Sequence, residues 1–239
     1  MEVQNRISKF LIFASQNTHA MQVTIYPEIK AICPEFTLAL ISCEVQNGYT
    51  TEAFWAEMEE EVARIKSTFQ LDEINKRTAI AATRRVYKAL GKDPNRYRPS
   101  AEALCRRIVR DIPVYRVSLL VDIINLVSIR SGFSIGGFDL TKIQGDLRLG
   151  VGTAEDEFEA IGRGLLNIEG LPVYRDAVGG IGTPTSDNER TKISDNTSQL
   201  LMIINGYSGK AGLQEAVDHT IELLSRHAAL KAWKVEWVE

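Results

Sequence analysis

The chain has 239 residues, with 28 Lys and Arg against 31 Asp and Glu, a net charge of −3 and 44% hydrophobic residues. That balance excludes a uniformly basic nucleic-acid binder, because neutralising phosphates needs a concentration of cationic side chains somewhere, so distribution matters more than the total. The apolar content suits an ordinary globular core, the run Phe10 to Ala14 near the start is far short of a membrane span or a signal-peptide core, and Cys33, Cys43 and Cys105 lack the close pairing of zinc or redox motifs.

The first twenty residues have no clear periodicity and are read as an N-terminal extension, either an extra segment or an over-long start; residues 21–239 are read as one domain. Glu35 to Val45 alternates, with Phe36, Leu38 and Leu40 on one face and Ala39, Ile41 and Cys43 on the other. Both faces are apolar, which predicts a strand buried on both sides before the turn at Asn47-Gly48. From Thr51, the apolar residues Phe54, Met58, Val62, Ile65 and Phe69 recur at helical spacing, while Glu52, Glu57, Glu59, Glu60 and Glu61 bring negative charge to the first turns, where the helix dipole favours it. A second helix is predicted from Asp72, a good N-cap type, to Leu90, with Gly91 able to supply the left-handed residue that ends it. After an Arg-rich link with two prolines, Pro99-Ser100 opens a helix whose Leu104, Ile108 and Val109 face inward and whose Arg106, Arg107 and Arg110 face out.

Val117 to Ser131 is rich in β-branched residues, yet Leu119, Leu120, Ile123, Ile124 and Val127 follow a helical stripe, and a helix is predicted. Ser118, Asp122, Asn125 and Ser128 then share one narrow polar face, either tying neighbouring loops or walling a ligand pocket. The texture turns to strands over Asp146 to Val151, Leu171 to Val178 and Leu200 to Ile204, followed by a helix from Leu213 to Leu224. Trp233, Val235 and Trp237 alternate with Lys234 and Glu236, as in one last strand. This order predicts a mixed α+β domain with sheets packed by helices on one side.

The three histidines are His19, His219 and His227, so the stretch from Met21 to Asp218 has none and no nucleophile-elbow sequence is present. This argues against a Ser-His-Asp hydrolase. The acidic cluster Glu155, Asp156, Glu157 and Glu159 lacks the spacing of a calcium or zinc site, so no metal and no cofactor is expected. The run from Gly179 to Asp187 is neither a P-loop nor a dinucleotide fingerprint; its glycines either let backbone amides approach a ligand beside Thr183, Thr185 and Ser186 or form a simple loop. From Arg84 to Arg116 there are ten Lys or Arg against Asp93, Glu102 and Asp111, a local charge of +7, with Tyr87, Tyr97 and Tyr115 interleaved. Cations for phosphates and rings for unpaired bases suit the single-stranded end of a structured RNA; solvated helix faces carry such charge runs too.

Three ordered strings carry a family resemblance: RPSAEALCRRIV from Arg98, VDIINLVSIRSG around Asp122 and Asn125, and GGFDLTKIQGDLRLG, in which Phe138 to Ile143 makes a turn and Gly145 to Leu149 a short strand. This segment resembles the tRNA-editing domain, B3/B4, of the phenylalanyl-tRNA synthetase beta subunit. The likeness spans roughly Met21 to Gly206 and is strongest over 98–204. It implies a three-layer β/β/α fold enclosing a pocket that in the synthetase accepts a misattached tyrosine on tRNA, which the domain clears by ester hydrolysis. No adenylate-forming catalytic domain fits in the remaining residues, so a complete synthetase is not expected. Two positions depart from the family: Gly136 stands where the family has a pocket histidine, and Met202 where it has a glutamate.

The resemblance thus implies a cytoplasmic tRNA-binding protein that recognises an aminoacyl end or an amino-acid-like small ligand through Asn125, Ser128, Phe138, Thr183 and Ser186. Arg96, Arg98, Arg106 and Arg107 would meet phosphates, with neither DNA nor membrane as partner. Two alternatives are a trans-editing hydrolase, working through oriented water and backbone donors, and a small-molecule or partner-binding module without RNA.

Overall fold

A strand that is apolar on both faces needs an apolar layer on each side, and this requirement sets the architecture. The computed structural model describes residues 21–239, so the expected extension over 1–20 lies outside the described residues. In chain order the elements are β1 (Val23–Ile25), α1 (Pro27–Ile32), β2 (Thr37–Glu44), α2 (Glu52–Thr68), α3 (Thr78–Ala89), α4 (Ser100–Ile108), α5 (Leu119–Ser131), β3 (Ile135–Asp139), β4 (Leu147–Val151), β5 (Glu159–Ala160), β6 (Gly164–Leu165), β7 (Pro172–Arg175), β8 (Gly180–Gly182), β9 (Gln199–Gly206), α6 (Leu213–His227) and β10 (Lys231–Val238). A central four-stranded sheet has the order β10-β2-β9-β3, a second has the order β1-β4-β7-β8, and β5 and β6 form a separate hairpin.

On one face of the central sheet, Ala39, Ile41 and Cys43 of β2 and Leu200, Met202 and Ile204 of β9 pack with Phe54, Met58, Cys105, Ile123, Val127 and Leu224 from the helices. On the other face, Leu38, Leu40, Leu201, Ile203 and Phe138 meet Leu147, Leu149, Tyr174 and Ile181 of the second sheet. The layers are therefore sheet, sheet and helices, the β/β/α arrangement that the resemblance implies. Full burial of each such side chain contributes roughly 1.5–3 kcal/mol, so the pattern Leu-Ala-Leu-Ile in β2 specifies its place in the middle.

Local signals explain most boundaries. The Thr51 side chain accepts from the Phe54 amide at 3.2 Å and caps α2. The segment from Leu119 is a helix, its start held by Asn47, whose Oδ1 accepts from the Leu120 amide at 3.2 Å, and its end by Gly132 at φ +82. The helix expected from Asp72 starts later: a 3-10 turn spans Ile74–Lys76, and α3 begins at Thr78. Arg77, with an extended backbone, breaks the helix there because its guanidinium donates to the Ile129 and Arg130 carbonyls, both at 2.8 Å, at the end of α5. The strand expected to reach Val178 stops at Arg175, where Asp176 turns the chain by accepting from the amides of Val178 (2.9 Å) and Gly179 (3.1 Å) and from Arg190. No helix among the described residues is long and apolar enough to cross a membrane.

Candidate functional site

The glycine-rich run folds as β8 and a tight turn. Thr183 closes that turn: its hydroxyl accepts from the amides of Thr185 (3.2 Å) and Ser186 (3.1 Å), and its own amide donates to the Ser186 carbonyl. Two of the glycines make room for protein, not ligand. A Cβ on Gly180 would sit 2.9 Å from the Phe158 ring, and one on Gly182 would sit 2.6 Å from Phe138 and 2.7 Å from Asp187 Oδ1. Gly136 has the same cause, since a Cβ there would lie 2.8 Å from the Phe138 ring. Phe138 thus fills the space between β3 and β8, and a histidine at 136 would have to displace it.

The turn is docked against the first turn of α4, where the Ser100 amide donates to the Pro184 carbonyl at 2.8 Å, and against Tyr87, whose hydroxyl lies 2.9 Å from Thr185 Oγ1. These ties bring Thr185 to the rim of a pocket of about 370 Å³. Its lining includes Arg98, Arg106, Arg107 and Arg110 from α4 and its flanks, Arg163 from the β5–β6 turn, Tyr115, Ser100 and Asn125 of α5. Five arginines line one hollow, and among the described residues that line it none is a carboxylate, a histidine or a cysteine.

The arginines are held, not merely present. Glu102 is fully buried and lies 2.8 Å from Arg84, 2.7 Å from Arg106 and 3.9 Å from Arg98. One carboxylate sequestered among three guanidiniums leaves net positive charge on the pocket side, and the low-dielectric surroundings strengthen each pairing. Arg84 also bonds Asn95 (2.8 Å) and the Pro94 carbonyl (3.1 Å), which fixes the proline-containing link behind the pocket. Arg107 stacks on Tyr115 at 3.9 Å, donates to its hydroxyl at 2.9 Å and donates to the Pro113 carbonyl. Tyr115 is exposed, with the Arg107 guanidinium over its ring.

Of the residues singled out from sequence, Arg98, Arg106, Arg107 and Asn125 converge here. Arg96 lies outside this lining, exposed beside the Tyr97 ring at 5.7 Å. Ser128 and Phe138 are buried, and Ser128 donates to the Phe133 carbonyl at 2.5 Å, a tie across the end of α5. Thr183 and Ser186 shape the turn that presents Thr185. Arg163 was not singled out; its signal is the run Gly162-Arg163-Gly164, where φ of +66 and +70 at the glycines forms a tight hairpin tip that points a lone arginine outward.

Two carboxyls near this region are shifted upward. Burial pushes Asp122 up to about 6, against the opposing hydrogen bond from the Val117 amide. Burial likewise pushes Asp187 up to about 7, opposed by the Gly137 amide donating at 3.2 Å; part of this residue's surface is nonetheless exposed. The described histidines lie elsewhere. His227 pairs with Glu57 at 2.9 Å, and His219 lines a larger hollow of about 890 Å³ between the α5 end and α6, beside Arg130 at 3.5 Å.

The family model described as the B3/4 domain matches residues 82–233, and the chain belongs to that family. The match takes in α4, α5, the glycine-rich turn and every residue that lines the pocket. An N-terminal fragment of the phenylalanyl-tRNA synthetase beta subunit from Pyrococcus horikoshii is similar at 14% identity with a TM-score of 0.43, over 92% of this chain and 52% of that fragment. The chain spans about half the length of that fragment. No curated protein matches the chain.

Proposed function

We propose that this B3/4 domain is a tRNA-binding protein that holds the aminoacyl end of a tRNA in the arginine-lined pocket. The observation that carries the reading is the convergence of Arg98, Arg106, Arg107, Arg110 and Arg163 on one hollow with no carboxylate in its lining. Phosphate oxygens suit this donor set, because a guanidinium offers a planar fork of N–H groups and keeps its charge at any physiological pH. Tyr115 gives an unpaired base a face to stack on, and the Asn125 amide can both donate to and accept from a base edge or an amino-acid group. The sequence resemblance over 98–204 supplies the tRNA, and the cytoplasm is where such a partner is met.

A second reading, trans-editing hydrolysis of a mischarged tRNA, draws on the placing of Asp187: its partly exposed carboxyl lies beside the Gly136 that replaces the family's histidine, and burial pushes it up to about 7, which suits proton transfer at physiological pH. A deacylation time course with tyrosyl-tRNA(Phe) and a panel of other aminoacyl-tRNAs, with filter binding on the same samples, separates the two. Binding without turnover is the expected result. Turnover above the uncatalysed rate, lost in Asp187→Asn with affinity kept, would establish the hydrolase, and stabilisation by free amino acids with no tRNA effect would replace both with a small-molecule module.

A further inference from the structure

We propose that the outer edge of β10 pairs with the β10 of a second copy, antiparallel about a two-fold axis through Val235. β10 ends the central sheet: it is bonded to β2 on one side, and no strand lies on its other side among the described residues. After a bulge between Lys231 and Lys234 the open edge is regular to Val238, and with large exposed side chains it is a template for another strand. Trp233 is 52% exposed and Trp237 40%, and with Val235 they share the face that α6 only partly covers, leaving a groove of about 420 Å³.

The sequence of the strand says which partner fits. In an antiparallel pair centred on Val235, residue 234 lies opposite 236 of the second copy and 233 opposite 237. That register sets Lys234 against Glu236 and Trp233 against Trp237, each twice by symmetry, so the ion pair that Lys234 and Glu236 make within one strand, at 2.6 Å, is exchanged for two across the axis. Each of these charges meets its opposite and each tryptophan a tryptophan. The faces agree as well: Val235 and Trp237 sit opposite Ile41 and Ala39 on the helix side, while Lys234 and Glu236 sit opposite Ser42 and Leu40 on the other. Two four-stranded sheets would become one of eight, with the two α6 grooves meeting across the axis.

Sedimentation equilibrium of the full chain is expected to give a dimer of twice 26.7 kDa. Lys234→Glu places glutamate against glutamate and Glu236→Lys places lysine against lysine, so each variant alone should dissociate about tenfold more readily or more. An equimolar mixture of the two should regain the wild-type affinity, because the heterodimer restores both pairs. Val235→Cys should oxidise to a covalent dimer, the three native cysteines being buried. Circular dichroism melts check that the exposed substitutions leave the fold intact. A chain that stays monomeric up to about 200 μM overturns the proposal, as does a dimer indifferent to the charge variants or a mixture that fails to recover.

Discussion

The glycine-rich turn and the arginine-lined pocket adjoin at Thr185, yet the two regions use similarly suggestive sequence in opposite ways. The turn has the glycines and hydroxyls of a ligand cradle, and spends them on itself: Phe158 and Phe138 fill the space over Gly180 and Gly182, and Thr183 bonds its own loop. The pocket has the charges of a solvated helix face, and keeps them aimed at an open hollow because Glu102 anchors Arg106 and Arg98 from beneath. Composition alone points to both regions. What separates them is whether the space beside the polar groups is filled by protein side chains or left as a hollow.

Substitutions can break the contrast at its strongest point first. Phe138→Ala should cost about 4 kcal/mol in denaturant unfolding, the usual loss for truncating a fully buried ring, if the ring is core and not a ligand wall. Next, Glu102→Gln should cost about 3 kcal/mol, because it strands the buried Arg84 guanidinium; an effect under about 1 kcal/mol would mean the cluster is solvent-screened. Gly182→Ala should cost about 2 kcal/mol through overpacking against Phe138, with part of that loss relieved by Phe138→Leu.

Informative chiefly in its sign is the pH dependence at Asp187. Its pKa is raised on folding from about 3.8 to about 7, so the folded chain binds the extra proton between those values. Its contribution to stability is full below pH 3.8 and is lost as pH rises through about 7. Asp187→Asn should therefore flatten the decline in melting temperature between about pH 4 and 7; an unchanged profile would mean the carboxyl is solvated.

The layered fold was legible in the sequence because its strongest signals are periodic: the two apolar faces of β2, the stripe of α5 and the alternation in β10 each define an element without help from the rest of the chain. The late start of α3 was not, since it depends on Arg77 reaching carbonyls at the end of α5, some fifty residues away. The candidate site was half legible. The charge run marked Arg98, Arg106 and Arg107, and the polar stripe marked Asn125. Phe138 and Ser128 were grouped with them, although one is fully buried and the other tied to the Phe133 carbonyl, because a linear pattern does not reveal which side chains are already satisfied. Arg163 enters only through the folding of its hairpin onto the rim, held by the Gly162 amide bonding Glu189 at 3.2 Å.

The most direct test of the central claim is the salt dependence of tRNA binding by the wild-type chain and by a variant carrying Arg107→Gln and Arg110→Gln, which leaves Arg106 in place to hold Glu102. If the pocket meets phosphates of a single-stranded end, affinity should fall with salt on a log–log plot, and the variant's slope should be shallower by about 1.4, two lost contacts at about 0.7 each. Parallel lines of equal affinity, or no retention of tRNA even at low salt, would contradict it.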